Sequence, residues 1–147
     1  MPFAACLSQS SDINHAIDQV CDDLSSQLDG KVPDLCCGFI SHDHAENFEQ
    51  VAGRVVQKLN CRALLGCTGE TIVGGGNEIE SGPAFSLWAG VLPGVTIEPF
   101  HVEFARTADG IVSSGLPTIT EGHKRDANAV LLFGEPYSTD PNAIIEH

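Results

Sequence analysis

The chain has 147 residues, with 7 Lys+Arg against 20 Asp+Glu, a formal net charge of −13 and a pI near 4.5. One domain with a single packed core is expected at this length, and 42% hydrophobic residues with 18% charged ones suit a globular chain rather than a disordered acidic tail. So acidic a balance excludes a nucleic-acid binder, which needs a basic footprint, and disfavours the anionic inner face of a membrane.

The start, Met1 to Leu7, carries no Lys or Arg and is too short in its apolar stretch for a signal peptide. No apolar run approaches the ~20 residues of a spanning helix. The six cysteines (Cys6, Cys21, Cys36, Cys37, Cys61 and Cys67) mostly lie inside apolar patterns, so they read as reduced thiols of a cytoplasmic protein.

The apolar run at residues 3–8 is followed by Ser10-Ser11-Asp12, an N-cap signal, and then by Ile13, Ala16, Ile17, Val20, Leu24 and Leu28 at helical spacing. Gly30 is the natural stop, so residues 12–28 are predicted as an amphipathic helix. Leu35–Ile40 is continuously apolar, as in a central strand, with His42-Asp43-His44 just past its carboxyl end. Phe48, Val51, Ala52, Val55, Val56 and Leu59 predict a second helix over residues 45–59, and Ala63–Cys67 a third buried strand. The order is β-α-β-α-β, the pattern of parallel pairing through crossovers.

Then the rhythm changes. Thr68 to Gly76 is a glycine-rich loop, and Pro83–Leu92 and Val95–Phe104 alternate as two strands of a hairpin turning at Pro93-Gly94. Residues 105–126 read as a long surface loop and 129–134 as a last buried strand. Asp140-Pro141 should cap and begin a helix, yet the chain ends at His147 before two turns are complete. The expected fold is α/β: a β-α-β-α-β start followed by a hairpin, in a mixed sheet with helices packed on it.

Chemistry has few places to sit. Gly66-Cys67-Thr68-Gly69-Glu70 follows a buried strand, and ligands of open α/β sheets bind beyond the carboxyl ends of strands. Cys67 is either a buried thiol closing the strand or a nucleophile with His42 or His44 as its base, and a nucleophile requires a depressed thiol pKa. Gly74-Gly75-Gly76 lacks the Lys and hydroxyl of a phosphate-binding loop, so it reads as a tight turn, with a turn over a ligand as the other option. Cys36 and Cys37 are adjacent in a strand and point to opposite faces, so they cannot chelate together with His42 and His44. No metal or cofactor is expected. Arg54, Lys58 and Arg62 form a local positive patch, read as a solvated face complementing a helix C-terminus or as a carboxylate-binding patch.

Together these segments resemble the N-terminal domain of the FIST family. The resemblance is carried by Ser10-Ser11-Asp12 with Ala16, Leu35–His42, and Leu65-Gly66-Cys67-Thr68-Gly69-Glu70. It continues through Val73-Gly74, Glu78-Ile79-Glu80, Pro83-Ala84 and Leu92-Pro93-Gly94-Val95, covering essentially the whole chain. Thr71 departs from the pattern, which has a Gly after the Glu. The resemblance implies a sensory domain that binds a small ligand, with amino acids proposed, and that accompanies signalling output domains or, in eukaryotes, F-box modules.

On this reading residues 1–147 are a single non-enzymatic FIST N-like domain, incomplete at its C-terminal end. The ligand-binding candidates are His42, His44, Gly66, Cys67, Thr68, Glu70, Gly74 and Gly75. Thr68 and free N–H groups would hold a carboxylate and Glu70 an ammonium. Two rivals stand beside it: a Cys67-dependent hydrolase or transferase, and a scaffold that recruits a protein partner along an exposed hairpin edge at 83–104.

Overall fold

The first helix, α1 (Ile13–Gln27), follows strand β1 (Phe3–Ser8) and begins where its polar trio directs. The Asp12 carboxylate accepts hydrogen bonds from the backbone N–H groups of Asn14 at 2.8 Å and His15 at 3.3 Å, satisfying donors that a helix start leaves unpaired. Ile13, Ala16, Ile17, Val20 and Leu24 are buried on one face, joined by Cys21. The chain turns off through Asp29 and Gly30, both at positive φ, and the Gly30 N–H donates to the Ser25 carbonyl at 2.8 Å. The structure, a computed structural model, describes residues 3–108, 110–117, 129–135, 137 and 139. It divides into two units, Met1–Ile97 and Glu98–His147.

In the first unit, β2 (Leu35–Ser41) runs through a 3-10 helix (His42–Asn47) into α2 (Phe48–Leu59) and β3 (Ala63–Gly69). The short strands β4 (Ile72–Gly74) and β5 (Asn77–Ile79) come next, then β6 (Phe85–Gly90). The predicted second helix is thus shorter at its start, because residues 45–47 belong to the 3-10 turn. Asn60, at φ 51°, ends it.

The sheet order is β1-β6-β2-β3, with β2 parallel to β3 and β6 antiparallel to both β1 and β2. The sheet is mixed, as expected, but the hairpin proposed between 83–92 and 95–104 is corrected. β6 slots between β1 and β2, and residues 95–102 form no strand. The reason lies in the composition of β6: five of its six residues are buried and Trp88 is half-buried, so apolar or small groups cover both faces, a pattern suited to a central strand. The exposed hairpin edge on which the scaffold alternative rested is therefore absent at β6.

Both helices contribute to one core with the sheet, which supplies Ala4, Cys6, Cys36, Ile40, Phe85, Leu87 and Ala89. The positive patch is not a free solvated face. Asp18 of α1 takes Arg54 at 2.7 Å and Lys58 at 3.0 Å, Asp22 takes Lys58 at 3.1 Å, and Arg54 also donates to Asn14. Arg62 pairs with Asp34 at 3.2 Å, whose buried carboxylate also accepts the Leu92 N–H at 2.7 Å.

The three consecutive glycines make the turn of the β4–β5 hairpin, where Gly75 and Gly76 both take positive φ (57° and 83°). In the second unit, β7 (Glu103–Thr107) pairs antiparallel with β8 (Gly110–Ser114), so the stretch read as one long loop carries a hairpin. Residues 129–134 are not the predicted buried strand: they form no strand, and Val130, Leu131 and Leu132 are exposed. Three exposed aliphatic side chains in a row are not the two-sided burial of a central strand. The helix expected from Asp140-Pro141 lies outside the described residues.

Candidate functional site

Parallel pairing carries β2 and β3 to the same level, with Ile40 beside Thr68 and Ser41 beside Gly69. The chain therefore leaves both strands together, and the first residues beyond them are His42 and Glu70, both exposed. Alternation along β3 separates the residues proposed as one wall. Gly66 and Thr68 share the face that bears the helices, while Cys67 lies on the opposite face. Gly66 lies at the middle of β3 and Thr68 near its carboxyl end, while His42 and Glu70 are the first residues past the ends of the two neighbouring strands.

The other candidates occupy different surroundings. His44 is 3% exposed, and its Nε2–H donates to the Ser10 carbonyl at 3.0 Å, tying the 3-10 helix to the β1–α1 connection. Gly74 passes so close to β6 that a Cβ there would collide with Ser86 Oγ, and Ser86 in turn donates to the Val73 carbonyl at 2.8 Å. Gly74 thus fixes the β4–β5 hairpin against the sheet, while Gly75 makes its turn with nothing packed against it.

The thiols carry no sign of activation at Cys67. Burial pushes the Cys67 thiol up, the opposite of what a nucleophile requires. Burial likewise raises Cys21 to about 12. Cys36 donates to Cys61, which holds Cys36 well above the ordinary thiol range and draws Cys61 down. All six cysteines are free, and among the described residues no group of three or more His, Cys, Asp or Glu could hold a metal ion.

One feature escaped the reading of the sequence. Between the sheet and α2 lies a cavity of about 250 Å³. Gly38 and Gly66 form part of its floor, and Phe48, Val51, Ala52 and Val55 of α2 its roof. Its signal was there: two glycines inside apolar strands, which turn out to stand side by side in register.

A family model described as FIST N domain matches residues 34–147. Among curated proteins, the uncharacterized protein MT0656 of Mycobacterium tuberculosis is 29% identical over 147 residues, covering all of this chain and 37% of its own length. The uncharacterized protein Mb0898c of Mycobacterium bovis is 33% identical over 121 residues, 82% of this chain and 30% of its own length. The chain therefore spans about a third of the relatives it matches. No solved structure matches it. No helix among the described residues is long and apolar enough to cross a membrane.

Proposed function

The chain belongs to the FIST family, whose members are sensory domains, and from that premise we propose that it binds a small amino-acid-like ligand without transforming it. The observation that supports the reading is the register of β2 and β3, which ends the two strands at the same level, with Ile40 beside Thr68 and Ser41 beside Gly69; we take Thr68, Glu70 and His42 as the rim there. Thr68 donates its hydroxyl to the ligand carboxylate, Glu70 meets the ammonium, and His42 closes the rim from the neighbouring strand end. Gly66 leaves room beneath it. His44, Cys67, Gly74 and Gly75 hold the surrounding backbone in shape.

On this reading the domain senses its ligand in the cytoplasm and passes the signal to an output domain; the curated relatives, of whose length this chain spans about a third, have room for one. The raised Cys67 thiol favours this reading over the thiol enzyme. The test is calorimetric titration of the folded chain with the proteinogenic amino acids and related small metabolites. Saturable heat from at least one of them, lost in Thr68→Val while its circular dichroism is unchanged, is the expected result. Absence of binding across the series overturns the proposal.

A further inference from the structure

The cavity beneath α2 is lined by apolar side chains and two glycines and is open on one side, and its origin can be read residue by residue. On the helix-facing side of the sheet, β2 presents Cys36, Gly38 and Ile40, and β3 presents Leu64, Gly66 and Thr68. A side chain is missing at the middle of each strand, and Val51, Ala52 and Val55 above are too short to reach into the gap. The two glycines differ in their need. A Cβ on Gly66 would lie 2.6 Å from the Gly38 carbonyl oxygen, so strand contact demands glycine there. A Cβ on Gly38 would meet only Leu87 at 3.4 Å and Phe85 at 3.6 Å, ordinary contact, and its φ is not in the left-handed region. Nothing in the fold requires Gly38 to be glycine; its effect is to keep space open.

Phe48 lines the same cavity and is 37% exposed, so the space reaches the surface at the start of α2, on the side where β2 and β3 end. Thr68 follows Gly66 on the same face of β3, which sets the polar rim beside the apolar floor. A cavity of about 150 Å³ with such walls takes a benzene ring, so about 250 Å³ suits a single ring or a branched aliphatic group.

We propose that this cavity is the binding site for the apolar part of the ligand, which makes the ligand class amino acids with branched aliphatic or single-ring aromatic side chains rather than small polar ones. The choice of amino acids rests on the function proposed above; the apolar site itself does not. The test therefore uses two kinds of probe on the full chain. Fluorobenzene, followed by fluorine NMR and by methyl shifts of Val51, Val55 and Leu87, reports on the cavity alone, while leucine and phenylalanine against serine and aspartate report on the whole ligand.

Fluorobenzene should bind with shifts confined to methyls that line the cavity, those of Val51, Val55 and Leu87 among them, and leucine or phenylalanine should bind at least about tenfold tighter than serine or aspartate. Ala52→Leu, which fills the space, should remove both effects. Gly38→Ala, which the fold accommodates, should weaken them should the larger substitution fail to fold. Fluorobenzene binding without amino-acid binding keeps the cavity site and overturns the amino-acid reading. Equal binding of serine and leucine, or affinities unchanged in both variants, overturns the cavity site and leaves the rim. No binding by any probe overturns both.

Discussion

Gly38 and Gly66 stand opposite each other across β2 and β3, yet replacing them should have opposite consequences. Gly66→Ala places a methyl 2.6 Å from the Gly38 carbonyl, a backbone atom that cannot swing away. The strands must part or the sheet must shear, and overpacking of this kind costs about 1–3 kcal/mol. Gly38→Ala meets only ordinary contacts, and it removes freedom from the unfolded chain, so it should be neutral or stabilising by up to about 1 kcal/mol. Urea unfolding of the two variants beside the parent chain checks this. A Gly66→Ala midpoint equal to the parent's would show that the strand contact is not the reason for glycine. At this scale the sequence was legible wherever chemistry is local. Asp12 caps α1 because a carboxylate next to a helix start can do little else, and Gly75 and Gly76 turn a hairpin because their backbone must enter positive φ. His44 was not legible as a tether, since nothing near it in sequence announces that Ser10 will lie 3.0 Å from its ring.

Arg54 and Lys58 were visible as a cluster one turn apart on α2, but their partners were not, because Asp18 and Asp22 lie on another helix. The same limit explains the strand order. Helices announce themselves by periodicity within a dozen residues, whereas β6 finds β1 and β2 only through long-range pairing, and its alternation looks alike in a hairpin or a central strand. The cross-helix cluster has a titration signature. Hydrogen bonding to Lys58, with the nearby positive charges, holds the Asp18 carboxyl below its ordinary value of 3.8, and hydrogen bonds to Asp18 and Asp22 hold Lys58 above 10.5. A lowered carboxylate stabilises the fold above its unfolded value and loses that contribution as pH falls through the folded value; a raised amine contributes below its unfolded value and loses it as pH rises through the folded one. The α1–α2 clasp therefore works fully between about pH 5 and pH 9. Asp18→Asn should melt slightly below the parent chain across that window, and the gap should close as the pH drops below about 4. Because these side chains are partly exposed, added salt should shrink the gap as well. Thermal melts in a pH series settle it, and a gap that persists undiminished in acid would assign the difference to packing instead of charge.

For the molecule as a whole, the central place of β6 makes the order of chain assembly unusual for a fold that opens β-α-β-α-β. Phe3 pairs with Gly90 and Ser8 with Phe85, so the first strand of the chain waits for the last strand of the sheet before it has any neighbour. Until β6 arrives, β2 pairs with β3 and β4 with β5, while β1 has no partner strand. β6 also brings Phe85, Leu87 and Ala89 into the core that α1 and α2 cover, and among the described residues no core residue of this cluster lies beyond Ala89 apart from the half-buried Val91 packed against it. The buried Asp34 then fastens the exit of β6 by accepting the Leu92 N–H. It follows that residues 1–97 should fold without the second unit, since they hold the sheet, both helices, the polar rim and the cavity. A chain of residues 1–82 keeps both helices and three of the four strands, but it leaves β1 unpaired and a buried edge of β2 open, with the apolar helix faces uncovered. The expected outcome is cooperative urea unfolding with retained α/β circular dichroism for 1–97, and a non-cooperative or aggregating chain for 1–82. Cooperative unfolding of 1–82 would show that β2-α2-β3 is sufficient on its own, and loss of cooperativity in 1–97 would show that the core of the first unit depends on residues after Ile97.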